Sequence, residues 1–273
     1  MRATDGDTPY VSMSIRMLNI DTLEVHYPSN QKPSKQDEKL AQLADWIQAR
    51  EAPISSGLTQ HLYPKLATGT AGTLQQSQGK SATTKFKELV GEKLKRPGRT
   101  KRSVFLWAAD QHFDQYGRLL AYMAPYYYNS AELASMTRRE RATFNLLMVE
   151  SGWAATFPIY PSIPRYADLV MLQEVAKDAC ENKKGAWDDP KMLTGYEFRM
   201  CVKLYDVTEK LVAGKKVSSR VRSGWITRYC VDMTTREIFY PQNYHKVASY
   251  NRIFVWPDDV AEAVGRMNLL PVE

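Results

Sequence analysis

Carboxylates resist being brought together, because like charges repel and lose hydration when they are buried or crowded. The first two dozen residues of this chain nevertheless gather four of them. Thr4-Asp5-Gly6-Asp7-Thr8 sets two acids around a glycine, and Ile15-Arg16-Met17-Leu18-Asn19-Ile20-Asp21-Thr22-Leu23-Glu24 is a mainly apolar run that carries one arginine and two more acids. Carboxylates that converge usually hold a cation between them, which makes Asp7 and Asp21 the first ligand candidates. Asp21 lies 14 positions after Asp7, a separation that would span roughly 46 Å as straight strand, so the chain must double back for the two to meet. On one uninterrupted strand Asp7 and Arg16 would also point to opposite faces. Pro9 and Ser12-Met13-Ser14 are where the break is expected.

A second polar segment lies far along the chain, at Asp114-Gln115-Tyr116-Gly117-Arg118-Leu119-Leu120-Ala121-Tyr122. Gly117 permits backbone angles that other residues resist, and the apolar stretch after it reads as a strand that would hold Arg118 rigidly. Each segment alone is common turn chemistry. Taken in order, Asp-Gly-Asp-Thr, then Arg-x-x-x-x-Asp-Thr-x-Glu, then Asp-x-Tyr-Gly-Arg-x-Leu-Ala-Tyr, the chain resembles the staphylococcal nuclease (thermonuclease-like) family. The resemblance continues through residues 82–95 and 144–154 and ends near Lys183-Lys184-Gly185-Ala186-Trp187, so it covers residues 3 to about 188.

That resemblance implies an α+β fold, an OB-fold five-stranded barrel with three helices, and calcium-dependent hydrolysis of DNA or RNA phosphodiesters by an endonuclease-type hydrolase. It implies Asp7, Asp21 and the carbonyl of Thr22 as Ca²⁺ ligands, with Asp5 in the outer shell. An all-oxygen set of this kind suits Ca²⁺ better than Zn²⁺. Arg16 and Arg118 would stabilise the charge that gathers on the phosphoryl oxygens, and Glu24 would orient or deprotonate the attacking water. Tyr116 would contact a phosphate oxygen. Tyr160 falls in the segment where the family has nucleotide-contacting aromatics, the companion position aligning with Pro158, and Gln115 stands where the family often has lysine. The family places a strand before the first motif, so the natural chain is expected to extend upstream of Met1. Two other readings stay open: a non-catalytic nucleic-acid- or protein-binding module on the same barrel, and a nuclease that needs a partner or an upstream domain. His26 and His112 flank the motifs but stand outside the pattern.

The remainder is read as what frames that site. Residues 82–95 place Phe86, Leu89, Val90 and Leu94 at helical spacing, and their basic side chains, Lys85 and Lys87 among them, are candidates to hold substrate phosphates. A formal charge of +7 favours a polyanionic partner such as nucleic acid. An insertion at 28–80 is expected to open with a helix capped by Ser34, carrying Leu40, Leu43 and Ile47, and to continue as a long loop over 53–80, read either as a substrate-facing lid or ruler or as plain surface decoration. A second insertion, 125–135, carries Tyr126-Tyr127-Tyr128. Thr137 and Glu140 match a capping box, Gly152 sits where a left-handed cap belongs, and 166–184 is the closing helix. Residues 190–273 are expected to form a separate β-rich appendage, with strands at 198–205, 225–233 and 236–240 and a short helix from Asp258. Cys180, Cys201 and Cys230 form no metal-binding spacing and read as small hydrophobes. No apolar run is long enough to cross a bilayer and no signal-peptide core is present, so a cytoplasmic location is expected.

Overall fold

The computed structural model describes residues 2–3, 9–10, 12–96, 98 and 101–270. The expected ligands Asp5 and Asp7 lie outside these residues.

In chain order the elements begin with β1 (Arg2–Ala3), β2 (Pro9–Tyr10), β3 (Ile15–Met17) and β4 (Ile20–Thr22), followed by α1 (Asp37–Gln48), α2 (Ser56–Leu66) and α3 (Ala71–Lys93). A hairpin of β5 (Val104–Phe113) and β6 (Leu119–Pro125) leads to α4 (Ser130–Ser135), α5 (Phe144–Glu150), β7 (Ala154–Thr156) and α6 (Tyr166–Glu181). The C-terminal region contains α7 (Gly195–Val212), α8 (Ser219–Ser223), β8 (Tyr229–Asp232), β9 (Ile238–Phe239), β10 (Arg252–Val255) and α9 (Val260–Met267).

Helices and strands are mixed as an α+β fold requires. Among the described residues, however, the strands form four small sheets, β1-β2, β3-β6-β5, β4-β7 and β10-β8-β9, and no closed five-stranded barrel. β3 and β4 are three residues each and diverge at a tight turn in which Asn19 takes φ 60°. The register of β5 against β6 also slips between Ala108 and Phe113, which interrupts the ladder that a barrel would continue.

The turn between β3 and β4 is held from behind. The buried Asn145 side chain of α5 donates to the Leu18 carbonyl at 2.9 Å and accepts from the Met123 N–H at 3.0 Å, and Asn19 donates to the Tyr122 hydroxyl. These bonds fix β3 beside β6, where Arg16 pairs with Leu120 in a parallel register. β4 runs antiparallel to β7, with Asp21 opposite Ala155.

Three sequence expectations need correction. Ser34 does not cap the first helix of the insertion, which starts at Asp37 with Gln36 at its N-cap and no side-chain cap bond. Residues 53–80 are not a long loop but α2 and the first turns of α3, because Leu58, Leu62, Leu66 and Ala71 are buried against other elements and Ser55 caps α2 through the Leu58 N–H. The stretch 198–205 is not a strand but the middle of α7, which is buried nearly all round, so its apolar residues show no single stripe. The C-terminal region is therefore led by a helix, with one three-stranded sheet and α9 packed around Tyr160, Val231, Ile253 and Ala263.

α1 and α2 of the insertion share one core with α7, Trp225, Tyr244 and Phe254, so residues 28–80 and the C-terminal region are packed as a unit. Leu40, Leu43, Leu58, Leu62 and Leu66 are fully buried there, each contributing about 1.5–3 kcal/mol relative to exposure. A second core joins Ile20, Ala82, Leu89, Phe144, Met148 and Leu172 and supports β4. The expected apolar face of α3 and the left-handed Gly152, at φ 75°, are both found. The capping-box bonds between Thr137 and Glu140 form within a turn, and the helix itself starts later, capped by Thr143.

Candidate active site

The short link from β3 to β4 brings Arg16 back onto Asp21, with Nη2 donating to Oδ1 at 3.1 Å. Asp21 is only 2% exposed. A charge so deeply buried needs partners, and the second one comes from the C-terminal region. Arg199 of α7 donates through Nη2 to both carboxylate oxygens of Asp21 at 3.0 Å, and through Nη1 to Glu24 Oε1. One guanidinium thus bridges the two acids that the sequence motif placed three residues apart.

The backbone beneath Glu24 is built by the insertion. A Cβ on Gly79 of α3 would meet the Glu24 carbonyl oxygen at 2.7 Å, so the helix reaches the strand only because this residue is glycine. Gln75, one turn earlier, lies between Glu24 and Leu193. Assigned with its oxygen toward the Glu24 N–H (2.8 Å) and its nitrogen toward the Leu193 carbonyl (2.9 Å), its carboxamide satisfies both.

α7 approaches the site equally closely. A Cβ on Gly195 would overlap the Thr22 carbonyl oxygen and stand 2.7 Å from Asp21 Oδ2. The helix start is locked by a capping box between Thr194 and Glu197. Glu197 is buried and also accepts from His61 at 2.7 Å, Lys65 at 3.3 Å and the Tyr244 hydroxyl at 3.1 Å. Its burial favours the neutral acid, yet Lys65 and His61 outweigh that and hold its pKa well below the ordinary value of 4.5.

Electrostatics separates the acids. Burial pushes Glu24 above its ordinary 4.5, opposed by Arg199 and assisted by Asp21. Burial likewise disfavours charge on Arg199, but Asp21 and Glu24 together hold its pKa above the ordinary arginine value. Arg228 stacks its guanidinium over Phe157 (5.3 Å), Tyr196 (5.7 Å) and Trp256 (4.1 Å), and its buried Nε has no hydrogen-bond partner among the described residues. Burial lowers its pKa, a shift that Tyr196 opposes and Arg199 adds to.

Arg118 precedes β6 by one residue and sits beside the left-handed Gly117 at φ 72°. Its Nε donates to Asp114 Oδ2 at 2.7 Å, while Asp114 Oδ1 accepts from the Tyr116 and Arg118 N–H groups. Arg118 lies two residues before Leu120, the register partner of Arg16, so both arginines are carried to the same end of the sheet. Tyr116 is 74% exposed beneath the Arg118 guanidinium, 5.4 Å from its ring centre.

The other sequence candidates fall elsewhere. Tyr160 is buried in the core of the C-terminal sheet rather than open to a nucleotide. Lys85 and Lys87 are on the solvated side of α3, with Lys85 paired to Glu88 at 3.3 Å. Tyr126 and Tyr128 pack edge to face at 4.6 Å, and Arg102 lies over Tyr127. Sequence reasoning missed Arg199, Gln75, Gly79, Gly195 and Arg228. For α7 one signal was present, Thr194-Gly195-Tyr196-Glu197, which has the spacing of a capping box.

Among the described residues no group of three or more His, Cys, Asp and Glu side chains is placed to hold a metal ion, and no helix is long and apolar enough to cross a membrane.

Comparison with known proteins agrees with the motif order. Residues 14–189 match the model of the staphylococcal nuclease homologues. Endonuclease YhcR of Bacillus subtilis (strain 168) is 27% identical over 154 residues, which cover 56% of this chain and 10% of that protein. The chain thus spans about a tenth of the length of that relative. With the greater part of its length matched by the family model, the chain belongs to the family of staphylococcal nuclease homologues.

Proposed function

We propose that this chain hydrolyses phosphodiester bonds of DNA or RNA, with calcium dependence, at the site built by Arg16, Asp21, Glu24 and Arg118. Membership of the family and the relative named as an endonuclease support a nuclease at the level of the family. The observation that carries the reading is the convergence of Arg16, Asp21 and Glu24 on one partly buried point, since a binding module has no need to bury these charges together.

In this reading Glu24, whose pKa is raised by burial, accepts the proton of the attacking water as the new P–O bond forms and the ester P–O bond breaks. Arg16 and Arg118 face the charge that develops on the phosphoryl oxygens. Arg228, stacked on three aromatic rings, offers the substrate phosphate a guanidinium with no carboxylate partner among the described residues. Tyr116 is exposed beside Arg118, where it would meet the nucleic acid.

The Asp21 carboxylate and the Thr22 carbonyl are oxygen donors and fit a hard cation in type. Both oxygens of Asp21 are engaged by guanidinium groups, and Gly195 stands against the Thr22 carbonyl, so among the described residues neither donor offers a cation an open position. Asp7 and, in the outer shell, Asp5 are the further oxygen donors that the family resemblance implies, and both lie outside the described residues.

Labelled single- and double-stranded DNA and RNA, incubated with Ca²⁺ or with EDTA, test the proposal. Cleavage in Ca²⁺ and its loss in EDTA are expected. Full cleavage in EDTA would remove the calcium requirement, and binding without cleavage of all four substrates would leave a nucleic-acid-binding module.

A further inference from the structure

We propose that Arg228 and Lys203, both contributed by the C-terminal region, form a subsite for the backbone phosphate that neighbours the scissile one, so that the chain holds a polynucleotide by two phosphates rather than one. The proposal rests on the nuclease reading above and names the substrate phosphate that Arg228 meets.

The strands and α7 together place the subsite. Arg228 lies over Phe157, which directly follows β7 and donates its N–H to the Asn19 carbonyl at 2.7 Å, next to the Ile20–Thr156 and Asp21–Ala155 pairs. It also lies over Tyr196, the residue after the Gly195 that abuts the Thr22 carbonyl and Asp21. Both rings that carry the guanidinium are therefore within two positions of a residue that faces Asp21. Tyr196, Arg199 and Lys203 follow one another on α7 at spacings of three and four residues, so they share one face. That face runs from the ring beneath Arg228, through the residue that binds Asp21 and Glu24, to Lys203, whose side chain reaches solvent.

Charge selects the occupant. Asp21 and Glu24 are already balanced by the guanidinium groups of Arg16 and Arg199. Arg228 and Lys203 are surplus to that balance, since neither has a carboxylate partner among the described residues. The rings attract the Arg228 cation through their faces but cancel none of its charge, and its Nε is buried without a hydrogen-bond partner. Partial burial lowers the Lys203 pKa, and Arg228 and Arg199 lower it further, as happens where cations gather without counter-charge. A phosphodiester supplies the missing anion with two free oxygens, and a guanidinium clamped between rings loses little freedom on meeting it. The next phosphate of the same strand is the anion that the reaction itself brings there.

Trinucleotides of thymidine and of uridine, cleaved by the full chain, test the subsite directly. A neutral methylphosphonate in place of one phosphate, on either side, leaves a single cleavable diester. The parent should show a roughly tenfold lower KM for the trinucleotide with both phosphates, with kcat changed much less, and Arg228→Met or Lys203→Met should erase that preference. In EDTA, binding of labelled single strands should weaken in each variant, and its log-log salt dependence should flatten by about 0.7. The double variant should flatten it no further, because the same phosphate is lost in every case. Additive flattening, an unchanged slope in both variants, or a parent that binds no oligonucleotide would overturn the proposal. If Arg228→Met does not fold, Lys203→Met, at its exposed position, and the parent's response to the methylphosphonate decide. Weakened binding as expected, with no cleavage of any substrate, would refute the nuclease reading alone. Cleavage indifferent to the methylphosphonate would refute the subsite alone.

Discussion

Gly79 and Glu24 touch backbone to backbone: a side chain on the glycine would come within 2.7 Å of the glutamate carbonyl oxygen. A helix of the insertion is thus seated directly on the strand end that carries a candidate catalytic acid. Gly79→Ala should cost about 1–3 kcal/mol in denaturant unfolding and lower turnover, because the methyl can be accommodated only by moving Glu24 or α3. A variant as stable and as active as the parent would show that this close approach does not set the site.

The pH dependence should carry the mark of Glu24. Its folded pKa lies above 4.5 and it must be ionised to accept a proton, so the acid limb of the rate profile should have its midpoint above that value. Glu24→Gln should lower the maximal rate by roughly 10²- to 10⁴-fold and abolish the limb. An unchanged limb in that variant would assign the titration to another group.

Arg118 leans on Asp114 in the free protein and would turn to the phosphate when substrate is bound. Arg118→Ala should reduce the maximal rate roughly 10²-fold or more with a much smaller loss in substrate affinity. Equal losses in both would make Arg118 a binding residue only.

Acid stability should be governed in part by Glu197. Its folded pKa is depressed, so the stabilisation is present above the ordinary value of 4.5 and is lost as pH falls from there toward the folded value. Glu197→Gln should destabilise the chain by about 3–5 kcal/mol at neutral pH, since it leaves Lys65 and the Tyr244 hydroxyl with a weakened partner, and the gap should narrow in acid. Thermal melts at several pH values would show a constant gap if the residue carries no such role.

The basic run at the end of α3 and just beyond it is tested by salt. If Lys85, Lys87, Lys93 and Lys95 track nucleic-acid phosphates, their replacement with Gln should weaken binding and flatten its log-log salt dependence by about 0.7–0.9 for each phosphate that is no longer neutralised. An unchanged slope would make that face of α3 merely solvated and would direct attention to Arg228 and Tyr116.

What could be read from the sequence follows the range of each interaction. Arg16, Asp21 and Glu24 are legible as a group because a single tight turn brings them together, and Arg118 because Gly117 announces its own turn. Arg199 is not, since its partners are 178 and 175 positions away and no local pattern marks the pairing. α7 misleads for a physical reason: Phe198, Met200, Val202 and Leu204 alternate like a strand, while Cys201 and Tyr205 are buried as well, the mark of a helix enclosed on every side. Residues 71–80 mislead in another way. Gly72 and Gly79 are poor helix formers and the glutamines between them supply no apolar stripe, yet tertiary packing buries Gly72, Gln75, Gln76, Gln78 and Gly79 as helix.

The shared core of α1, α2 and α7 means that the family-matched segment does not close on itself. Cut after residue 189, it would bare Leu40, Leu43, Leu58 and Leu62 as one sticky surface and leave Asp21 with half of its positive charge removed. Transplanting residues 14–189 into another protein would therefore carry the motif but not the machine. A graft would have to bring α7 with it, because a segment synthesised after the family-matched residues finishes the site that the first strands begin.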